Sequence, residues 1–437
     1  MNPEQEFQSL SVLVSEFLTK HATTIKVDKI PTKVITRLLC LFDDVPDPRK
    51  EGMIVYPLNE LLLCIFLALL AGGETYEDIA HFWTYHPRLY KKLFKKTMIP
   101  SHDTFRRIIS IIPPEKVNTV MVEVLLASSK NLRTVLELPK TRTLYAVDGK
   151  ELRGSGRKYG TDEKIPNLQI LNVYEQNTET CLYSIPITDK RNEIPHARKI
   201  LQTMNLKDSI VTFDAMHTQY ETTNIISENR GDYLGGLKGN QGKLQEFAED
   251  LFGDASILAS LKANTATYYP RSTIEHNQLE QREYYYYALS PQQKKGEFGK
   301  WHDVHALVCY DKTVCHNVTG KEGFERRFYL TSLKDLPTAA YCIGRHWGIE
   351  NNLHWMLDTV LREDECQVVD RQAANNLSSI KKTCLSLYKL YKSLTPKKMS
   401  VRSTKKVFGW AFEDALAQVL TLCDEKTLRK ALMVEKK

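Results

Sequence analysis

Two short apolar runs, Leu144-Tyr-Ala-Val147 and Ser209-Ile-Val-Thr-Phe213, each end on an aspartate, Asp148 and Asp214. Apolar runs this short, bounded by polar residues, suit strands. Residues 168–174, 182–187 and 232–237 read as further strands. Residues 195–204 read as a helix with proline in its first turn, and 219–228 and 244–251 as two more helices. Three strands, helix, strand, helix, strand, helix describes an α/β domain with a mixed sheet. If the two strands that end on aspartate are neighbours, two carboxylates stand side by side at the sheet's edge. Each Asp alone also fits an ordinary turn or cap after a strand.

A third acid extends the pattern. Glu350 lies in His346-Trp-Gly-Ile-Glu-Asn-Asn-Leu-His-Trp355, within a helix expected over 339–361. Trp347, Asn351, His354 and Trp355 fall at helical spacing around it. The plain alternative is a helix whose aromatics pack inward with the glutamate at the rim. Asp358, Glu363 and Asp364 are rivals for the same place. Three carboxylates gathered together repel unless a cation neutralises them. Hard oxygen donors favour Mg²⁺ or Mn²⁺. Two such ions about 4 Å apart activate a water or a 3′-hydroxyl and stabilise a leaving oxygen.

The rest of the chain frames this region. Apolar residues recur at helical spacing in 34–42, 58–70, 79–83 and 117–126, so 1–138 reads as an all-helical N-terminal domain. The run 61–71 is far short of the ~20 residues that span a bilayer, so no membrane partner is expected. Strand-like runs at 266–269, 281–289, 304–310 and 326–333 mark 253–333 as a β-rich insertion. The catalytic domain is then 139–252 with 334–392, and 393–437 a basic helical tail. Nine cysteines without a C-x-x-C pair read as reduced thiols in a cytoplasmic protein, and the N-terminus lacks a signal peptide's apolar run.

The formal charge of +7 leans mildly towards a polyanion, and its arrangement says more. Ten Lys or Arg and no acid occur between Arg371 and Trp410, and Arg88–Lys96 interleaves cations with aromatics. Ser101 caps a basic helix that carries Arg106 and Arg107. Lys150 and Arg153 follow Asp148 closely enough to touch a phosphate. Solvated helix faces carry similar runs.

The motifs together resemble the ISAs-type insertion-sequence transposases, which include the H-repeat-associated proteins. The matching residues are Asp47-Pro-Arg49 with Gly52 and Tyr56, Ser101 through Phe105, and Ala146-Val-Asp-Gly-Lys-Glu-Leu-Arg-Gly-Ser155. Next come Asn192-Glu-Ile194, Thr212-Phe-Asp-Ala-Met-His-Thr-Gln219, and Gly231-Asp-Tyr-Leu234 with Leu237-Lys-Gly-Asn-Gln241. The series closes with His346 to Asn351, Leu353-His-Trp355, Leu357-Asp358 and Glu363-Asp364. The resemblance implies an RNase H-like catalytic domain whose DDE acids are Asp148, Asp214 and Glu350. It implies two Mg²⁺ or Mn²⁺ ions, cleavage of transposon-end DNA and transfer of the 3′-hydroxyl into target DNA. It also implies a bacterial, nucleoid-associated location and a helical domain for end binding. Lys238 and His354, in the matched motifs, and Arg345, beside the last of them, join Lys150, Arg153, Arg106 and Arg107 as DNA-binding candidates. Tyr341, Arg345 and Glu350 can stand for the first three members of a Tyr, Arg, Glu, Lys signature in related transposases. Leu357 stands where its lysine belongs.

A nuclease that cuts without joining and a non-catalytic DNA-binding descendant are the alternatives. Joining two element ends needs two sets of acids, so a homodimer on DNA is expected. The β-rich insertion, with Tyr284 to Tyr287 and Trp301, either reaches that partner or its DNA, or packs as a small sheet of its own. His302, His305, Cys309, Cys315 and His316 lack the ligand spacing of a structural zinc site. Gly149, Gly154, Gly156 and Gly160 follow a strand without the helix that a nucleotide loop needs. His217 either faces the acids or is a paired core histidine. Asn192 is a candidate helix cap, and Glu193 a candidate site residue.

Overall fold

A computed structural model describes residues 3–25, 27, 29–156, 165–187, 193–275, 278–316, 322–395 and 399–434. The expected helical run is present as α1 (Leu10–Lys20), α2 (Thr32–Asp43), α3 (Leu58–Leu70), α4 (Tyr76–Tyr85), α5 (Pro87–Phe94), α6 (His102–Ile111) and α7 (Pro114–Val135). Thr75 and Asp78 form a reciprocal capping box on α4, and Ser101 caps α6 by accepting from the Thr104 amide. The α3 helix is buried on every side. No described helix is long and apolar enough to cross a membrane.

Strands β1 (Thr143–Leu152), β2 (Leu168–Glu175) and β3 (Thr180–Ile187) come next, then α8 (Glu193–Thr203), β4 (Ser209–Phe213), α9 (Tyr220–Glu228), β5 (Asp232–Leu237) and α10 (Gly242–Gly253). This is the expected element order. The cap position assigned to Asn192 and the expected loop residue Gly160 lie outside the described residues. After α11 (Ala255–Lys262) come β6 (Tyr268–Glu275), β7 (Gln278–Ala288), β8 (Ala306–His316) and β9 (Glu322–Thr331). Then come α12 (Leu336–His346), α13 (Trp355–Leu361), α14 (Arg371–Leu394), α15 (Val401–Trp410), α16 (Phe412–Thr421) and α17 (Glu425–Ala431). A short strand, Leu432–Val434, follows and pairs antiparallel with Thr23–Ile25, so neither the N-terminal region nor the tail is all-helical as expected. The expected single helix over 339–361 is interrupted. Its first part stops at Trp347, and a wide π-type turn, Glu350–His354, precedes α13.

The chain divides into two compact units. The first comprises residues 1–7, 141–148 and 191–349. Its strands run in the order β1-β4-β5-β9-β8-β7-β6, with β1, β4 and β5 parallel and the remaining pairings antiparallel. The β-rich segment therefore builds no sheet of its own. It continues the α/β sheet through β9, whose Phe328 pairs with Leu237 of β5. Tyr284, Tyr285, Tyr286 and Trp301 are buried, because both faces of β7 are covered, and so they present no surface to a partner. Leu144, Ile210 and Leu234 share one core with Tyr284, Tyr286, Val308, Tyr329 and Ile343 of α12.

The second unit comprises residues 8–140, 149–190 and 350–437. It holds α1–α7, the β2–β3 hairpin beside the end of β1, and the C-terminal helices. Helix α14 runs through its centre, packed by α1, α3, α6, α7 and β3, with almost every residue buried. Several of its polar side chains are tied down by partners from other elements. Asn376 donates to the Ile109 and Ile112 carbonyls, and the Tyr388 hydroxyl donates to the Leu70 carbonyl at 2.7 Å.

Candidate active site

Val147 of β1 pairs in parallel register with Phe213 of β4. Asp148 and Asp214 are therefore the next residues on adjacent strands, at one level of the sheet and about 5 Å apart along the backbone. Both are half-buried. Asp214 caps a short turn, Ala215–His217, and its carboxylate accepts from the His217 amide at 3.3 Å. Asn240 and Gln241, just beyond β5, donate to the Ala215 and Thr218 carbonyls and pin that turn. Gly235 of β5 lies directly against it. A Cβ there would run into the Phe213 ring and come 2.6 Å from Thr218 Oγ1.

Two histidines underlie Asp214. His217 is buried, and its Nε2 donates to Glu193 Oε1 at 3.0 Å. Its Nδ1 has no partner among the described residues. The Thr212 hydroxyl proton is committed to the Tyr145 carbonyl, so the 3.1 Å bond to His346 needs a proton on His346 Nδ1. Burial holds His346 down at about 4, against the pull of Asp214, with Arg327 and His217 adding to the depression. It is a neutral donor near pH 7. Glu193 and His217 thus meet as a buried pair, and His346 is a site neighbour that sequence reasoning gave no separate role.

Glu350 is exposed and opens the π-type turn in the second unit. Four residues on, His354 Nε2 accepts from Asn172 Nδ2 at 3.2 Å. Burial, with Lys150 and Lys382 nearby, depresses His354 to about 3. It is half-buried and neutral near pH 7. Among the described residues, no group of three or more His, Cys, Asp or Glu is placed to hold a metal ion.

A model of the transposase DDE domain matches residues 139–387, and one of the DDE-associated region matches 39–124. The chain belongs to the transposase DDE-domain family. YncI of Escherichia coli O157:H7, a transposase by assignment, is 28% identical over 365 residues, covering 81% of this chain and 87% of its own. YhhI of Escherichia coli K12, an H repeat-associated transposase by assignment, is 27% identical over 364 residues, covering 81% and 92%. A piggyBac transposase synaptic complex aligns at a TM-score of 0.38 with 12% identity, over 95% of this chain and 82% of that one.

Within this DDE domain the rival acids are engaged elsewhere. Lys150 is buried and binds both carboxylate oxygens of Asp358, with Glu363 and Asp364 also in reach. Glu363 accepts from Ser378 at 2.7 Å. Lys150 is therefore engaged as an internal counter-ion. Arg153 is exposed beside Asp364, and Lys238 is exposed after β5. Arg345 is exposed and lies over the Tyr341 ring, donating to its hydroxyl at 3.0 Å. Arg106 and Arg107 face solvent while Phe105, Ile108 and Ile109 are buried. The basic stretch after Arg371 is no single solvent face, since Lys381, Lys382 and Lys389 are buried. In the cysteine–histidine group, His305 pairs with Tyr286 and His316 with Gln278.

Proposed function

We propose that the protein is a metal-dependent DNA transposase that cuts transposon-end DNA and joins the freed 3′-hydroxyl to target DNA. Asp148, Asp214 and Glu350 are the acids that would hold two Mg²⁺ or Mn²⁺ ions. The observation that carries this reading is the register of Val147 with Phe213 inside the DDE-domain match, which sets two carboxylates side by side. Their oxygens suit a hard cation, and like charges so close favour one. Bound ions of this kind activate a water or a 3′-hydroxyl and stabilise the leaving oxygen.

The chain's own residues orient the donors. The His217 amide fixes one oxygen of Asp214, and neutral His346 donates to the Thr212 hydroxyl of β4, two residues before Asp214, without adding charge. In the first step a water oxygen bonds to phosphorus, the bond to the 3′ oxygen breaks, and that oxygen takes a proton. In the second, the 3′ oxygen loses that proton, bonds to a target phosphorus and releases a target 3′-hydroxyl. Strands β1, β4 and β5 in parallel, with the β2–β3 hairpin beside β1, support an RNase H-like core. Exposed Arg106, Arg107, Arg153, Lys238 and Arg345 are candidates for the DNA backbone.

The test is a strand-transfer assay with Asp148→Asn, Asp214→Asn and Glu350→Gln proteins. Each should lose cutting and joining while still binding element ends. Cut but unjoined products from the wild type would make the protein a nuclease, and binding alone a non-catalytic descendant. Normal cutting by Glu350→Gln would pass the third role to Asp358, Glu363 or Asp364. The active species on DNA is a homodimer. Mixing wild-type and Asp148→Asn chains should depress two-ended joining faster than the wild-type fraction falls, and a proportional fall would exclude the dimer.

A further inference from the structure

The turn that Glu350 opens is tethered from beneath at two of its five residues. Lys389, buried in α14, directs its ammonium to three acceptors: the Asn352 carbonyl at 2.8 Å, Glu179 Oε1 at 3.0 Å and the Tyr174 hydroxyl at 3.2 Å. An ammonium has three donors, so all are satisfied. Seven residues earlier, on the same face of α14, Lys382 donates to Asn172 Oδ1 at 2.8 Å and to Ser184 Oγ at 2.6 Å. Because Lys382 can only donate, it fixes which end of the Asn172 amide is the acceptor. The Asn172 Nδ2 end is left to donate to His354 Nε2, the last residue of the turn.

π-type turns are rare, and most occur as single bulges inside α-helices, often at functional sites. Here the turn offers a carbonyl and a ring nitrogen inward, at its third and fifth residues, while Glu350 at its first is exposed. Holding the inward positions fixes where the first residue's backbone sits.

We infer that Lys389 and His354 are positioning residues for Glu350, holding the wide turn in the shape that presents its carboxylate to the metal. This rests on the reading of Glu350 as a metal ligand. Neither residue touches the ion or the DNA in this role. Lys389 acts through the Asn352 carbonyl, and His354 through Asn172 and, behind it, Lys382.

The experiment uses the full chain and measures Mn²⁺ binding without DNA, from the signal of free Mn²⁺ in electron paramagnetic resonance, alongside thermal unfolding and end cleavage. Lys389→Met alone would strand Glu179, so the working variant is Lys389→Met with Glu179→Gln, which removes both charges. Loss of an outer support of this kind weakens metal affinity roughly 10–100-fold. The double variant should unfold cooperatively, bind element ends normally, take up Mn²⁺ at least about tenfold more weakly, and regain cleavage in excess Mn²⁺. His354→Ala should show the same pattern, and Lys389→Arg a smaller shift. Glu350→Gln is the reference. If Glu350→Gln loses Mn²⁺ affinity but the double variant and His354→Ala bind Mn²⁺ as the wild type does, the positioning role is wrong and the ligand assignment stands. If Glu350→Gln itself binds Mn²⁺ and cuts normally, the ligand assignment fails and the positioning role with it.

Discussion

Lys150 Nζ lies 2.7 and 2.8 Å from the two carboxylate oxygens of Asp358, and the same buried ammonium stands 3.8 Å from Glu363 and 3.6 Å from Asp364. One lysine therefore serves three acids. Burial pushes the Asp358 carboxyl up, and Lys150 pulls it only part of the way back. Replacing Lys150 by Met should cost roughly 3–5 kcal/mol at pH 7, because the acids are left without their counter-ion. The deficit should shrink as pH falls towards the carboxylate range, where the stranded groups take up protons. Urea unfolding at pH 7 and pH 5 checks both statements. An unchanged midpoint at pH 7 would return Lys150 to the set of surface groups that touch phosphate.

Gly235 offers a sharper steric test. A Gly235→Ala protein must move the Phe213 ring or the turn after Asp214, and overpacking of this sort costs about 1–3 kcal/mol. Since the turn carries Asp214, cleavage should fall by more than the loss of folded protein explains. Gly239, with nothing within 4 Å of an added Cβ, is the control, and its Ala variant should behave as the wild type. Thermal melts and cleavage rates of the two variants, compared side by side, decide the matter.

Acid stability should be set in part by two histidines. His346 and His354 are held by burial at about 4 and about 3, below the ordinary 6.5. A base with a depressed folded-state pKa contributes stability that is complete above its unfolded value and is lost as pH falls. The window is therefore from about pH 6.5 down to about 4, with a loss on the order of 3 kcal/mol for each histidine. His354→Gln should flatten part of that slope. A wild-type unfolding midpoint that does not change between pH 7 and pH 4.5 would contradict the burial argument.

The salt dependence of end binding separates surface cations from buried ones. Neutralising exposed Arg106, Arg107 and Arg153 should lower the log–log salt slope by roughly 0.9 for each phosphate that is no longer neutralised. Lys381→Gln, deep in α14, should leave the slope where it was and act on stability alone. Equal effects from the two sets would mean that burial does not separate these charges from the DNA.

Much of this was legible from the chain. The strand and helix order from Thr143 to Gly253 follows from apolar periodicity, a local property, and the cap at Ser101 is equally local. The acids Asp148 and Asp214 stood out because each follows an apolar run, although β1 itself continues past Asp148 to Leu152. The basic run after Arg371 misled because the number of charges carries no information on direction. Lys381, Lys382 and Lys389 look like a DNA-facing stripe in one dimension and are interior groups in three. The tyrosine block at Tyr284 misled similarly, since alternation alone cannot say that both faces of a strand are covered.

The sequence by itself determined most of the strands and helices and which carboxylates follow the apolar runs, because those choices depend on neighbours a few residues away. Only the tertiary structure decided that β1 and β4 lie in parallel with Val147 against Phe213, that Lys150 answers Asp358, and that Lys389 reaches under the turn of Glu350. Each of those pairings joins residues far apart in the chain. What selects them is the burial of polar groups, which must find partners wherever the fold brings one within about 3 Å.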